Sequence, residues 1–191
     1  MPSNPLLIAI PSQDGRAVVD TIQALTNLAV HMNREIAFIT PQASNIPRGR
    51  NLALQMAAAM NPNPKDPLWM FWVDSDVRIE PFQEHYMADM IKFAEDNNAF
   101  VTGLYKMDDK NYVATMDIEG TKHLSGRLDM IKPNAAVKTT GFGFLYGPMP
   151  RTYTFHADRL GEDLKFWQEN KHLKLYANTQ VQLSHWKARW I

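Results

Sequence analysis

The residues able to do chemistry fall in a few short stretches. The first is Leu68-Trp-Met-Phe-Trp-Val-Asp74-Ser75-Asp76, an apolar run ending on two aspartates one residue apart. Carboxylates that close repel each other unless a cation lies between them. Oxygen donors suit magnesium or manganese, and such ions commonly also hold a substrate's phosphates. If the apolar run is a strand, alternate residues share a side and both carboxylates point one way. The competing reading is a solvated turn with aspartates capping a helix after Pro81.

Arg48-Gly49-Arg50-Asn51 stands at the head of a periodic apolar segment. Helix N-termini and arginines both favour phosphate, although a solvated first turn has the same composition. Gly141-Phe-Gly143-Phe-Leu-Tyr-Gly147 has part of a dinucleotide-loop spacing, but Tyr146 takes the sixth position and Pro148 and Pro150 follow. It reads better as a strand whose glycines admit a ligand or a neighbouring backbone, or as a bulged core strand. Gly161-Glu162-Asp163 puts two acids in a helix's first turn, where the helix dipole alone favours them. A carboxylate there that faces a crevice can also act as a general base. His185 alternates with Val181 and Leu183 on an apolar face, so it is a hydrogen-bonded core residue unless a partner such as Asp76 joins it at a metal.

The elements that must position these groups follow from periodicity. Leu6–Ile10, Glu35–Thr40 and Leu68–Val73 are short apolar runs closed by Pro11, Pro41 and Asp74. They read as buried strands. Val18, Ile22, Leu25, Ala29 and Met32 form a helical stripe over 15–33, and a second helix runs from Pro47 to Met60. Strand–helix–strand–helix–strand implies a parallel sheet with right-handed crossovers, and ligands of such sheets bind at the carboxyl ends of the strands. A helix over 81–97 follows, with Phe82, Tyr86, Met90 and Phe93 on one side, then a strand at 100–105. Seven of nine glycines lie at or after Gly103. The texture there predicts short mixed strands at 112–118, 128–132 and 137–146, a helix at 161–172 and one or two strands within 173–186.

The bulk numbers narrow the field. The chain has 191 residues, 20 basic and 20 acidic side chains and no cysteine. That length predicts one domain with a real core. Lack of cysteine excludes disulfides, zinc fingers, iron–sulfur centres and a thiol nucleophile. Zero net charge argues against a nucleic-acid binder. The longest apolar run is far short of the ~20 residues that span a bilayer. No signal-peptide pattern opens the sequence, so a cytoplasmic location is expected.

In this order, the motifs resemble the GT-A fold of nucleotide-sugar glycosyltransferases, most like family 2, over nearly the whole chain. The matching pieces are Ile8-Ala-Ile-Pro11-Ser12, Arg48-Gly-Arg-Asn51, Asp74-Ser-Asp76, Thr140-Gly-Phe-Gly143, Gly161-Glu-Asp163 and His185. The chain resembles a minimal member, of the kind found in viral genomes. The resemblance implies an α/β fold in one domain, 1–191. Its nucleotide-binding half (1–80) has parallel strands, and its sugar- and acceptor-binding half (81–191) has mixed strands, all in one continuous sheet. It implies that Pro11 and Ser12 line the base pocket and that Arg48, Asn51, Asp74, Ser75 and Gly143 contact the donor, a UDP- or GDP-linked sugar. Asp74, Asp76 and His185 would hold Mn2+ or Mg2+. Asp163 would be the base of an inverting reaction and Glu162 a partner of the acceptor or donor sugar. The acceptor is unspecified. Pro41-Gln42 departs from the family where many relatives carry an acid. Rival classes are a magnesium-dependent nucleotidyltransferase or phosphatase, and a non-catalytic binding protein of the same fold.

Overall fold

The computed structural model describes residues 4–106, 112–116, 123–126, 134–156 and 161–185. The elements are β1 (Leu6–Ala9), α1 (Val19–Met32), β2 (Ile36–Ile39), α2 (Ile46–Met60), β3 (Leu68–Val73), β4 (Val77–Ile79) and α3 (Glu84–Asn97). Then come β5 (Ala99–Lys106), β6 (Tyr112–Met116), β7 (His123–Gly126), β8 (Ala135–Ala136), β9 (Phe144–Met149), α4 (Glu162–Glu169) and β10 (Lys174–His185). One mixed sheet runs β2-β1-β3-β9-β5-β10-β4, with β6 on β5, β7 on β6 and β8 on β10. The β1 strand is parallel to β2 and β3, whereas β9 is antiparallel to β3 and β5. The strands β5 and β10 are parallel.

Alternation along the strands builds a core on each face. Leu6, Ile8, Phe71 and Val73 pack with Leu25 and Leu28 of α1 and Met87 and Met90 of α3. Leu7, Ala9, Met70 and Trp72 pack with Ala53, Leu54 and Ala57 of α2 and Phe166 and Trp167 of α4. Both faces are covered, which explains why the strand sequences are continuously apolar. Left-handed asparagines, Asn33 (φ 49°) and Asn98 (φ 46°), end α1 and α3. The two expected halves share the sheet, since β9 lies against β3 and β10 against β4.

Four expectations change. The strand expected at 137–146 is β9, shifted later, and it includes Pro148. Pairing with β5 has ended by that point, so only one side of the strand is bonded and a proline fits. Asp74–Asp76 does not continue a strand, because a turn there leads into β4, which was not foreseen. Phe82 is not on the buried side of α3: it precedes the helix with φ 61° and is 84% exposed. His123–Gly126 is an unforeseen strand, while the strand expected at 128–132 lies outside the described residues.

Candidate active site

The loops after β1 and β2 run together. Ser12 and Gln42 form a parallel bridge, with Ser12 N donating to Pro41 O and Ala43 N to Ser12 O. Helix α2 then starts at Asn45, whose side chain accepts the Arg48 backbone N–H at 2.9 Å. A Cβ on Gly49 would stand 3.1 Å from Pro11 Cβ, so glycine lets this turn close on the β1 loop. Between the loops and the Asp74–Asp76 turn lies a cavity of about 390 Å³. Its lining includes Pro11, Ser12, Asn45, Asp74, Ser75 and Asp76, together with Gln13, Asp14, Ala43 and Ile46. That volume is in the roughly 300–1,000 Å³ range of small-molecule sites.

The Asp74–Val77 turn is closed by Val77 N–H donating to Asp74 O at 3.1 Å, and Asp74 N–H donates to Gly143 O at 2.8 Å. Ser75 O accepts from Val18 N–H, tying the turn to α1. Asp76 is exposed and Asp74 half-buried. A Cβ on Gly143 would stand 2.6 Å from the Tyr105 hydroxyl oxygen and 3.1 Å from Asp74 Oδ2. Only glycine admits both groups. Burial, and then the charges of Asp74, Asp76 and Asp163, push the Tyr105 phenol well above its usual value. It therefore stays neutral and keeps its proton to donate. One hydroxyl thus senses all three carboxylates.

Asp163, in the first turn of α4, reaches the same stretch of chain at Gly141. Arg50 Nη1 donates to its Oδ1, and the Phe142 N–H lies 3.4 Å from its Oδ2. A Cβ on Gly141 would stand 3.3 Å from Oδ2. So Gly141 faces Asp163, Gly143 faces Asp74 and Tyr105, and the two glycines are two residues apart, a span of at most ~7 Å. Phe142 between them is buried against Trp72, Phe155 and Phe166.

The structure sorts the expected residues. Pro11, Ser12, Asp74, Ser75 and Asp76 line one cavity, with Gly143 bonded to Asp74. Arg48 is exposed and does not line it. Asn51 was expected to contact a donor, but its side chain is spent on the Phe155 backbone, donating to O at 2.7 Å and accepting from N at 2.8 Å. Glu162 is only 6% exposed and accepts the Tyr153 hydroxyl at 2.8 Å, so it faces the interior. The backbone of His185 pairs with Val77, next to Asp76. Gln42, where relatives carry an acid, donates to Gln13 O at 3.4 Å.

Sequence reading took Arg50 only as a phosphate-favouring arginine of the Arg48–Asn51 stretch, and gave no role to Tyr105, Gln13, Asp14, Asn45 or Ile46. For Arg50 a signal existed. It falls three, four and seven residues before Ala53, Leu54 and Ala57, on the buried stripe of α2. A charge on an apolar stripe requires a partner. For Tyr105 nothing local distinguished one aromatic in an apolar strand.

Charge describes the cavity further. Asp14, Asp74 and Asp76 line it, and no lysine or arginine does among the described residues. The Arg16 backbone N–H holds the Asp14 carboxyl below its ordinary value. A diphosphate entering alone would be repelled. Hard oxygen donors in a cluster fit Mg2+ or Mn2+ in chemical type. No group of three or more His, Cys, Asp or Glu side chains stands ready to hold a metal among the described residues. The oxygen donors lining the cavity fit such a cation in chemical type.

No family model matches the sequence, and no curated protein does. Among solved structures, the chain is similar to GalNAc-T7 with UDP, GalNAc and Mn2+. The TM-score is 0.53 at 10% identity, over 96% of this chain and 44% of that one. The fold is GT-A-like. This chain spans less than half of that glycosyltransferase, and at such identity the likeness concerns the fold. No helix among the described residues is long and apolar enough to cross a membrane.

Proposed function

We propose that this chain is a cation-dependent glycosyltransferase. It moves a sugar from a UDP- or GDP-linked donor to an acceptor hydroxyl, with inversion at the anomeric carbon. One observation carries the reading: Gly141–Gly143 has Asp163 against one end and Asp74 with Tyr105 against the other, beside the acid-lined cavity. The GT-A-like fold, found also in a protein solved with UDP, GalNAc and Mn2+, supports it.

In this reading the nucleoside lies along Pro11, Ser12, Asn45 and Ile46. Asp74 and Ser75 meet the ribose or sugar. Asp74, Asp76 and His185 would hold Mn2+ or Mg2+; in its favour, the backbone of His185 pairs with Val77, the residue after Asp76. When bound, the cation offsets the diphosphate charge and the charge that builds as the sugar departs. Tyr105, kept neutral by burial, presents an uncharged hydroxyl next to Gly143, close to Asp74. Asp163 accepts the acceptor hydroxyl's proton as that oxygen bonds to the anomeric carbon. The bond from that carbon to the diphosphate oxygen breaks on the opposite face, and the nucleoside diphosphate leaves with the electron pair.

The test is a calorimetric panel of UDP- and GDP-sugars with and without manganese. The expected result is binding of at least one nucleotide sugar that depends on the metal. No binding of any nucleotide with any metal overturns the reading. Donor binding without transfer to any of a broad set of hydroxyl acceptors leaves a binding protein of this fold.

A further inference from the structure

Arg50 is a buried cation paired with Asp163. It sits in the second turn of α2 and its side chain is 7% exposed. The guanidinium carbon lies 5.0 Å from the Phe142 ring centroid and 5.5 Å from that of Phe155. These rings fix the plane of the guanidinium, and its Nη1 donates to Asp163 Oδ1. The Asp163 side chain is 33% exposed, so one partner is sealed and the other meets solvent. An ion pair taken out of water is weak support for stability, because desolvation offsets the attraction. Its geometry, by contrast, is well defined. Oδ1 is held, and Oδ2 lies beside the bare backbone of Gly141 with one long contact, at 3.4 Å, from Phe142 N–H. A carboxylate oxygen accepts about two hydrogen bonds, so Oδ2 has capacity left.

We infer that Arg50 is a positioning residue for the transfer reaction: it clamps Asp163 Oδ1 so that Oδ2 meets the acceptor hydroxyl. The inference rests on the reading of Asp163 as proton acceptor. It also gives α2 a double part. The first turn of α2, at Asn45 and Ile46, lines the donor cavity, and its second turn holds the base. Donor and acceptor sides are therefore set by one helix.

The experiment compares wild type, Arg50→Lys and Arg50→Met, using the nucleotide sugar and metal that bind in the panel. It measures donor affinity, kcat and KM for the acceptor, and carbodiimide labelling of Asp163 followed by mass spectrometry. In Arg50→Met, donor affinity is expected to hold, kcat to fall roughly 100-fold, as for a misplaced reacting group, and Asp163 to label faster. Arg50→Lys keeps the charge but not the planar fork, so it should lose less than Arg50→Met and still fall below wild type. In Arg50→Ala, added guanidinium ion should restore part of kcat and do nothing for wild type. A folded Arg50→Met with wild-type kcat overturns the inference while transfer stands, and so does unchanged labelling of Asp163. If Arg50→Met fails to fold, Arg50→Lys decides, and wild-type kcat there overturns the clamp. An inert wild type overturns the transfer reading and this inference together.

Discussion

An arginine meets a carboxylate at each end of the sheet, and the two pairs are built differently. At the amino ends of β1 and β3, Arg34 donates to Glu95 Oε1 at 2.8 Å and to Asn4 O at 2.8 Å. The Tyr146 hydroxyl, in the core, donates to the same Glu95 oxygen at 2.6 Å. That oxygen is saturated, and the network joins the end of α1 to α3 and to the middle of the sheet. At the carboxyl ends, Asp163 has one oxygen clamped by Arg50 and one with spare capacity. The two carboxylates are similarly exposed, 38% and 33%, and what separates the pairs is that one oxygen of Glu95 takes two donors whereas each oxygen of Asp163 takes one. A saturated acceptor stabilises, whereas one left partly open beside a crevice can take a proton.

The comparison is broken most decisively by exchanging the acids for their amides. Asp163→Asn is expected to lower transfer roughly 10²–10⁴-fold with donor affinity intact, the range of general acid–base catalysis. Glu95→Gln should leave the rate unchanged and lower the melting temperature. Equal loss of rate in both would mean that acceptor saturation does not distinguish the two ends. Next in size, Asp76→Asn should abolish the metal-dependent part of donor binding by calorimetry. Retained metal dependence would remove Asp76 from the cation site. Smaller again, Tyr146→Phe should cost about 1 kcal/mol in urea unfolding, the net worth of one hydrogen bond, with no change in rate.

The smallest effect is in alkali, where both ends behave alike. Burial, then the nearby carboxylates, raise Tyr105. Burial, then Glu95, raises Tyr146, and burial, then the bond to Glu162, raises Tyr153. A folded value above the unfolded ~10 means that the unfolded chain loses these protons first. Their stabilisation is therefore whole below about pH 10 and is lost as pH rises beyond it. Unfolding midpoints flat to pH 9 and falling above 10 are expected. Tyrosinate absorbance from these residues should appear only with unfolding. An absorbance rise in the folded protein near pH 10 that shrinks when Tyr105, Tyr146 or Tyr153 is replaced by phenylalanine would mean that they are not held neutral.

Much of the scaffold was legible because burial on both faces writes itself into short apolar runs. Leu6–Ala9 and Leu68–Val73 fell where their sequences put them, and Gly161 opened a helix as expected. Of the candidate acids, Asp74 and Asp76 stand at one cavity and Asp163 reaches the same glycine stretch. What escaped was pairing across sequence. Arg50 and Asp163 are 113 positions apart, and no local pattern in α4 announces its partner. The turn after Val73 escaped because the edge strand it leads to exists only by pairing with β10, at the far end of the chain. Asn51 and Glu162 are instead bonded within the protein, to the Phe155 backbone and the Tyr153 hydroxyl. A polar side chain near a site is as readily spent on a neighbouring loop or tyrosine as on a ligand, and sequence does not tell the two apart.

Phe142 has a consequence for how such a protein can change. Its ring is pinned beneath the crevice by Trp72, Phe155 and Phe166, while the glycines on either side carry no side chain to reorient. The gap between Asp163 and Asp74 is therefore a length of peptide backbone, a gauge cut to one size. Surface loops around it could be exchanged or lengthened without resetting the separation of the two acids.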